Sequence, residues 1–181
     1  MAEHTGPVGG RFFYDTEFIE RSERGHLWLD LVSIGIVSED GTREFYAVST
    51  EFDPDHAVPW VRRNVLDQLP PPSSSVWMPR DRIRAEVAEF LAADGEPELW
   101  AWYGAYDHVV LCQLFGTMSA LPRRFPRFTR DLRQLWEEVG CPPLPPPPPD
   151  AHDALADARH NLARWQVLAP LRAGLVSRRV G

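Results

Sequence analysis

Between Cys141 and Pro149 the chain carries seven prolines, five of them consecutive. Proline has no N–H to donate, and its ring clashes with the preceding helical turn. The stretch is therefore barred from a helix interior and from a central strand. It divides the chain into a long region of strand and helix signals before it and one amphipathic segment after it. That last segment, from about Asp153, places Leu155, Leu162 and Trp165 on one face and predicts a final helix.

Before the prolines, RFFYDTEF (residues 11–18) alternates and reads as a strand. LWLDLVSIGIVSEDGTREFYAVST follows, with two β-prone runs around Glu39-Asp40-Gly41. Asp-Gly between such runs predicts a hairpin, because tight hairpin turns require positive φ. Three successive antiparallel strands result. Trp60 to Leu69 reads as helical up to the prolines at 70–72, and Ile83, Val87, Phe90 and Leu91 recur at helical spacing. Leu99–Tyr103 reads as a buried strand, Val110, Leu111 and Leu114 as a helix, and Arg127–Thr129 as a last strand. Leu132, Leu135, Trp136 and Val139 mark one more helix, ended by Gly140. This order implies an α/β fold, a mixed sheet covered by helices. At 181 residues the chain has single-domain size, against ~100–200 residues per domain. We expect a tail over 1–10, one domain over 11–170 and a C-terminal tail over 171–181.

The formal net charge of −7 excludes a basic protein that coats nucleic acid. It leaves room for a nucleic-acid enzyme whose acids are offset by bound cations. No apolar run approaches the ~20 residues of a membrane span, and no signal peptide is evident at the start. Cys112 and Cys141 form no metal-binding spacing, so a cytoplasmic, reducing setting is expected.

Three groups of residues carry candidate chemistry. Asp15 and Glu17 lie two apart on a strand, so both carboxylates share a face at roughly 6.6 Å. A divalent cation would relieve their repulsion, and oxygen ligands suit magnesium or manganese; a solvated edge strand is the ordinary alternative. Asp107 follows the buried aromatic strand at a helix start, on the face of Val110, Leu111 and Leu114. There it serves either as a site acid or as a helix cap. His152 precedes the last helix, with Asp157 just over one turn beyond. An imidazole so placed suits a general base at neutral pH, although a loop histidine and a solvated acid also fit.

An acid pair on an early strand, an acid after a later strand and His-x4-Asp on the last helix together resemble the DEDDh 3′–5′ exonucleases of the ribonuclease H-like superfamily. FYDTEFIE, AVSTEFDP, ELWAWYGAYDHVVLCQLFG, PRFTRDLRQLW and HDALADAR further resemble the bacterial polyadenylate-specific 3′-exoribonuclease AS group, from about Arg11 to Trp165. The resemblance implies a five-stranded ribonuclease H-like sheet. It also implies two Mg2+ ions per site, replaceable by Mn2+ and about 3.5–4 Å apart. Asp15, Glu17, Asp107 and Asp157 would be their ligands and His152 the general base. The implied partner is a single-stranded, adenylate-rich RNA 3′ end, released as nucleoside 5′-monophosphates, and the implied assembly is a homodimer. Phe18 would lie against the terminal base, or else join the core with Tyr14 and Thr16. Many DEDDh enzymes carry asparagine four residues before the second-motif acid. Tyr103 stands there, so that contact is not carried over. DNA trimming or cleavage of very short oligoribonucleotides is the alternative within the enzyme class, and a proline-rich scaffold the alternative outside it.

Overall fold

The computed structural model describes residues 8–93, 95–149 and 151–180. Its centre is a long hairpin of β1 (Val8–Glu23) and β2 (His26–Ser38), turned at Arg24 and Gly25. Both turn residues have positive φ, 50° and 79°, which matches the right-handed twist of the flanking strands. The second hairpin leads through Gly41, φ 70°, into β3 (Glu44–Ser49), where the Asp-Gly signal places it. After α1 (Pro59–Asn64), a two-residue strand β4 (Trp77–Met78) pairs parallel to β3. Next come α2 (Arg80–Ala92), β5 (Glu96–Ala101) and α3 (Ala105–Leu114). β6 (Arg130–Asp131), α4 (Leu132–Glu138) and α5 (Ala154–Val180) complete the order.

The sheet runs β4-β3-β2-β1-β5-β6. β1, β2 and β3 are antiparallel neighbours, and β5 joins β1 in parallel, as β6 joins β5. The mixed sheet with three antiparallel strands first is as expected, but it has six strands where five were expected. The addition is β4, too short to show any alternation. The last strand falls at Arg130–Asp131 and not at Arg127–Thr129. Asp131 ends it by turning its carboxylate onto the N–H groups of Arg133 and Gln134, which starts α4.

Both segments expected as tails contain described regular structure. β1 begins at Val8, with residues 1–7 outside the described set, and α5 continues through 171–180.

Successive β1 side chains face opposite sides, and each side is covered differently. Phe12 and Tyr14 pack with Ile34 and Ile36 beneath α2 and α3. Phe13 packs with Val37 and Trp100 beneath α4 and α5, against Leu132, Leu162 and Trp165. Past Phe13 the two sides diverge, because the pairing of β1 with β5 stops at Phe13–Trp100 while β1 runs on. That stretch of β1, paired with β2 but no longer with β5, carries Asp15 and Glu17.

Candidate active site

Asp15 and Glu17 extend the Phe13 face of β1 beyond the end of β5. Opposite Asp15 on β2 sits Gly35. A Cβ built on Gly35 would lie 2.3 Å from the carbonyl oxygen of Ala154 and 2.4 Å from the nitrogen of Leu155. Only glycine lets the first turn of α5 rest on the sheet here, and that contact brings the third motif to the first. A bulge between Glu17 and Phe18, with Val32 the extra residue on β2, then re-aims the strand.

Asp107 arrives from the other side of the sheet. Its Oδ1 accepts from the backbone N–H of Thr16 at 2.9 Å and from the Thr16 hydroxyl at 2.7 Å. The cap reading of this acid thus gives way to a bond that ties α3 to β1. The approach to α3 is fixed by Asp131, whose second carboxylate oxygen accepts from the N–H of Gly104.

The proline run is a strut into the site. The Trp136 indole N–H donates to the carbonyl of Pro142 at 2.7 Å, and His160 Nε2 lies 3.1 Å from the carbonyl of Pro145. The chain then enters a left-handed turn at His152, φ 74°, a conformation costing about 1–3 kcal/mol for a residue with a Cβ. Asp157 holds that turn, its Oδ2 accepting from the His152 backbone N–H at 2.8 Å. Asp153 caps α5 by accepting from the N–H of Ala156. The imidazole Nδ1 lies 4.0 Å from Glu17 Oε1, and the Trp60 ring meets the imidazole edge-on at 4.8 Å between centroids.

One cavity of about 560 Å³ is lined by Asp15, Glu17, Phe18, Asp107, His152 and Asp157. All six residues expected at the site therefore meet. Within it, Glu17, His152 and Asp157 each offer a ligand atom within 4.8 Å of the others. Asp15 and Asp107 line the same cavity outside that tightest group. Phe18 packs against the core cluster that holds Tyr14, and it also lines the cavity, stacked on Tyr106 with 5.8 Å between centroids and 4° between planes.

The carboxyls are poorly matched to one another's company. Burial pushes Glu17 up to about 9, with Asp157, Asp107 and Asp153 adding to the rise. Burial likewise raises Asp15 well above the usual carboxylate range, and its neighbours Asp107, Glu17 and Asp157 raise it further. Asp107 is raised by burial to about 6, moderated by the Thr16 bonds. Oxygen donors crowded until they resist ionising are the environment a divalent cation relieves. The donor set of Asp15, Glu17, Asp107 and Asp157 therefore fits a magnesium-type ion.

Several residues at the site carried no signal in the sequence reading. Thr16 orients Asp107, Gly35 admits α5, and Trp60 and Tyr106 supply aromatic walls. Asn161 and Arg164 did have a signal, standing four and seven residues after Asp157 on one helix face. Tyr103 lines the cavity with φ 59° and is 61% exposed.

The mixed sheet thus gathers four carboxylates and an imidazole at an open strand end. The chain belongs to the family of Rv2179c-like 3′-5′ exoribonuclease domains, whose pattern matches residues 10–169. The Mycobacterium tuberculosis protein named 3′-5′ exoribonuclease Rv2179c (strain ATCC 25618 / H37Rv) is 61% identical over 160 residues, covering 87% of this chain and 92% of the relative. The protein named 3′-5′ exoribonuclease MT2234.1, from M. tuberculosis strain CDC 1551 / Oshkosh, aligns with the same figures. Among solved structures, one described as the yeast NOT1 MIF4G domain co-crystallized with CAF1 shares the fold. Its TM-score is 0.51 at 12% identity, over 92% of this chain and 81% of that one.

Proposed function

We propose that this chain is a metal-dependent 3′–5′ exoribonuclease of the DEDDh type on a ribonuclease H-like fold. It releases nucleoside 5′-monophosphates from single-stranded, adenylate-rich RNA ends. The observation that carries the reading is the convergence of Asp15, Glu17, Asp107, Asp157 and His152 on one cavity, in a chain of this family. Asp15, Glu17, Asp107 and Asp157 would hold two Mg2+ ions, with Mn2+ as a substitute. Ions so held supply a nucleophilic water and charge neutralisation of the phosphate.

The remaining work falls to the chain. His152, at the cavity edge and 42% exposed in its side chain, takes the proton of the attacking water as the new P–O bond forms. The 3′ oxygen then leaves with the shortened strand. Asp157 fixes the His152 backbone, and the proline strut limits its travel. Phe18 and Tyr106 present an aromatic wall to the terminal base. Preference for adenylate and a homodimer rest on the family resemblance, and cytoplasmic residence on the cysteine usage. Among the described residues no helix is long and apolar enough to cross a membrane.

The test uses end-labelled oligo(A) with Mg2+, with chelator, and with Asp15→Ala protein, beside matched DNA and other homopolymers. Stepwise shortening from the 3′ end that needs both Mg2+ and Asp15 is the expected result. Degradation that survives chelation, or full activity in Asp15→Ala, refutes the metal mechanism. Equal rates on matched DNA refute RNA selectivity. His152→Ala should retain Mg2+ affinity and lose about 10²–10⁴-fold in rate.

A further inference from the structure

We propose that Arg164 is a substrate-binding residue of this site, presenting its guanidinium to a phosphate of the RNA backbone. The inference rests on the nuclease reading of the cavity and names a contact that the acid-and-histidine set does not include.

Arg164 lines the cavity with the acids, and two contacts hold it in place. Its Nη1 donates to Asn161 Oδ1 at 2.8 Å, and its guanidinium lies over the Trp102 ring at 4.2 Å. Asn161 is itself fixed, 1% exposed, with its Nδ2 donating to the Tyr14 carbonyl of β1 at 3.1 Å. A guanidinium has five N–H donors in a rigid planar fork. Among the described residues the bond to Asn161 occupies one, and no carboxylate lies within ion-pair distance of the others.

Other arginines of this acidic chain behave differently. Arg11 pairs with Glu98, Arg80 with Asp30, Arg130 with Glu98 and Arg133 with Glu137. Were Arg164 present only to neutralise Asp15 or Asp157, direct contact would serve best. Instead Asn161 and Trp102 hold it apart from them; burial lowers its pKa, and Asp157 and Asp15 oppose that fall. A charged, pre-oriented fork at the wall of a cavity matches phosphate geometry. It would place a fixed positive charge at the cavity wall, beside the ions that the carboxylates would hold, for a second phosphate of the strand to meet.

The experiment measures binding of a labelled oligo(A) by fluorescence anisotropy in chelator, which keeps the strand intact, across a salt series. Arg164→Met is expected to weaken binding roughly tenfold. It should also reduce the slope of log affinity against log salt by about 0.7, the value of one phosphate contact on a single strand. Arg164→Lys should keep the slope and lose only part of the affinity, which separates charge from packing on Trp102. Unchanged affinity and slope in Arg164→Met overturn the proposal. So does an equal loss of slope in Arg164→Lys, or a change in Mg2+ affinity by calorimetry with the RNA slope intact. If the wild type binds with an Arg164-dependent slope yet leaves RNA uncut in Mg2+, the hydrolytic reading fails and this one stands. If hydrolysis proceeds with KM and slope unchanged in Arg164→Met, this one alone fails.

Discussion

Replacing Gly35 with alanine tests how the site is assembled. The added Cβ would sit 2.3 Å from the Ala154 oxygen and 2.4 Å from the Leu155 nitrogen, both backbone atoms at the start of α5. Ordinary contact needs about 3.5 Å, so the helix start must withdraw by roughly 1 Å. Backbone cannot rotate away as a side-chain tip can. Overpacking of this kind costs about 1–3 kcal/mol, within the ~5–15 kcal/mol that stabilises a typical domain. The variant should therefore fold. The proposed catalytic groups will not fit as before, because Asp157 and the His152 backbone it holds ride on the displaced turn. A misplacement near 1 Å costs about 10²-fold in rate. The assay pairs the urea midpoint with the initial rate on end-labelled oligo(A). A Gly35→Ala protein with wild-type rate and midpoint would refute the claim that this glycine seats α5. Rate lost only in proportion to unfolded protein would refute the positional argument.

Three further outcomes follow from the electrostatics. Glu17 and Asp107 are raised from 4.5 to about 9 and from 3.8 to about 6, so the folded state holds protons that the unfolded chain has released. Stability of the metal-free protein should therefore fall as pH rises from near 4 to near 9, and Mg2+ binding at pH 7 should release protons, that of Glu17 among them. Melting curves across pH and calorimetry in buffers of different ionisation enthalpy check this; rising stability over that window contradicts it. Asp15→Asn removes a buried charge from the cluster, so it should raise the metal-free melting temperature, by ~2–4 °C per kcal/mol relieved, while abolishing activity. A lowered melting temperature would show that Asp15 is stabilising as it stands. Thr16→Val removes a donor to Asp107 and should cost about 1–3 kcal/mol of stability. The acid limb of the rate profile should move to higher pH, and an unmoved limb would show that Thr16 does not set the ionisation of Asp107.

The elements with strong periodicity were legible in the sequence. The Asp-Gly turn, the alternation of Phe12 to Glu17 and the stripe from Leu132 to Val139 each express one local preference, and tertiary packing agrees with it. β4 was not legible, because two residues, Trp77 and Met78, show no period and are strand only by lying beside β3. The Arg24-Gly25 turn was missed because arginine carries no turn signal and is held at positive φ by the hairpin around it. Phe128 and Thr129 suggested a strand by composition, but the parallel partner of β5 is Arg130–Asp131, chosen by where Ala101 ends. The acids and His152 could be selected because their types and order are informative. Gly35 could not, since a glycine in a strand says nothing until the partner surface is known.

The acids come from β1, α3 and α5, three elements far apart along the chain. The cavity they line therefore exists only after α3 and α5 have both docked on β1. A fragment that stops in the proline run would hold neither His152 nor Asp157, and on the proposed mechanism it would bind RNA ends without cutting them.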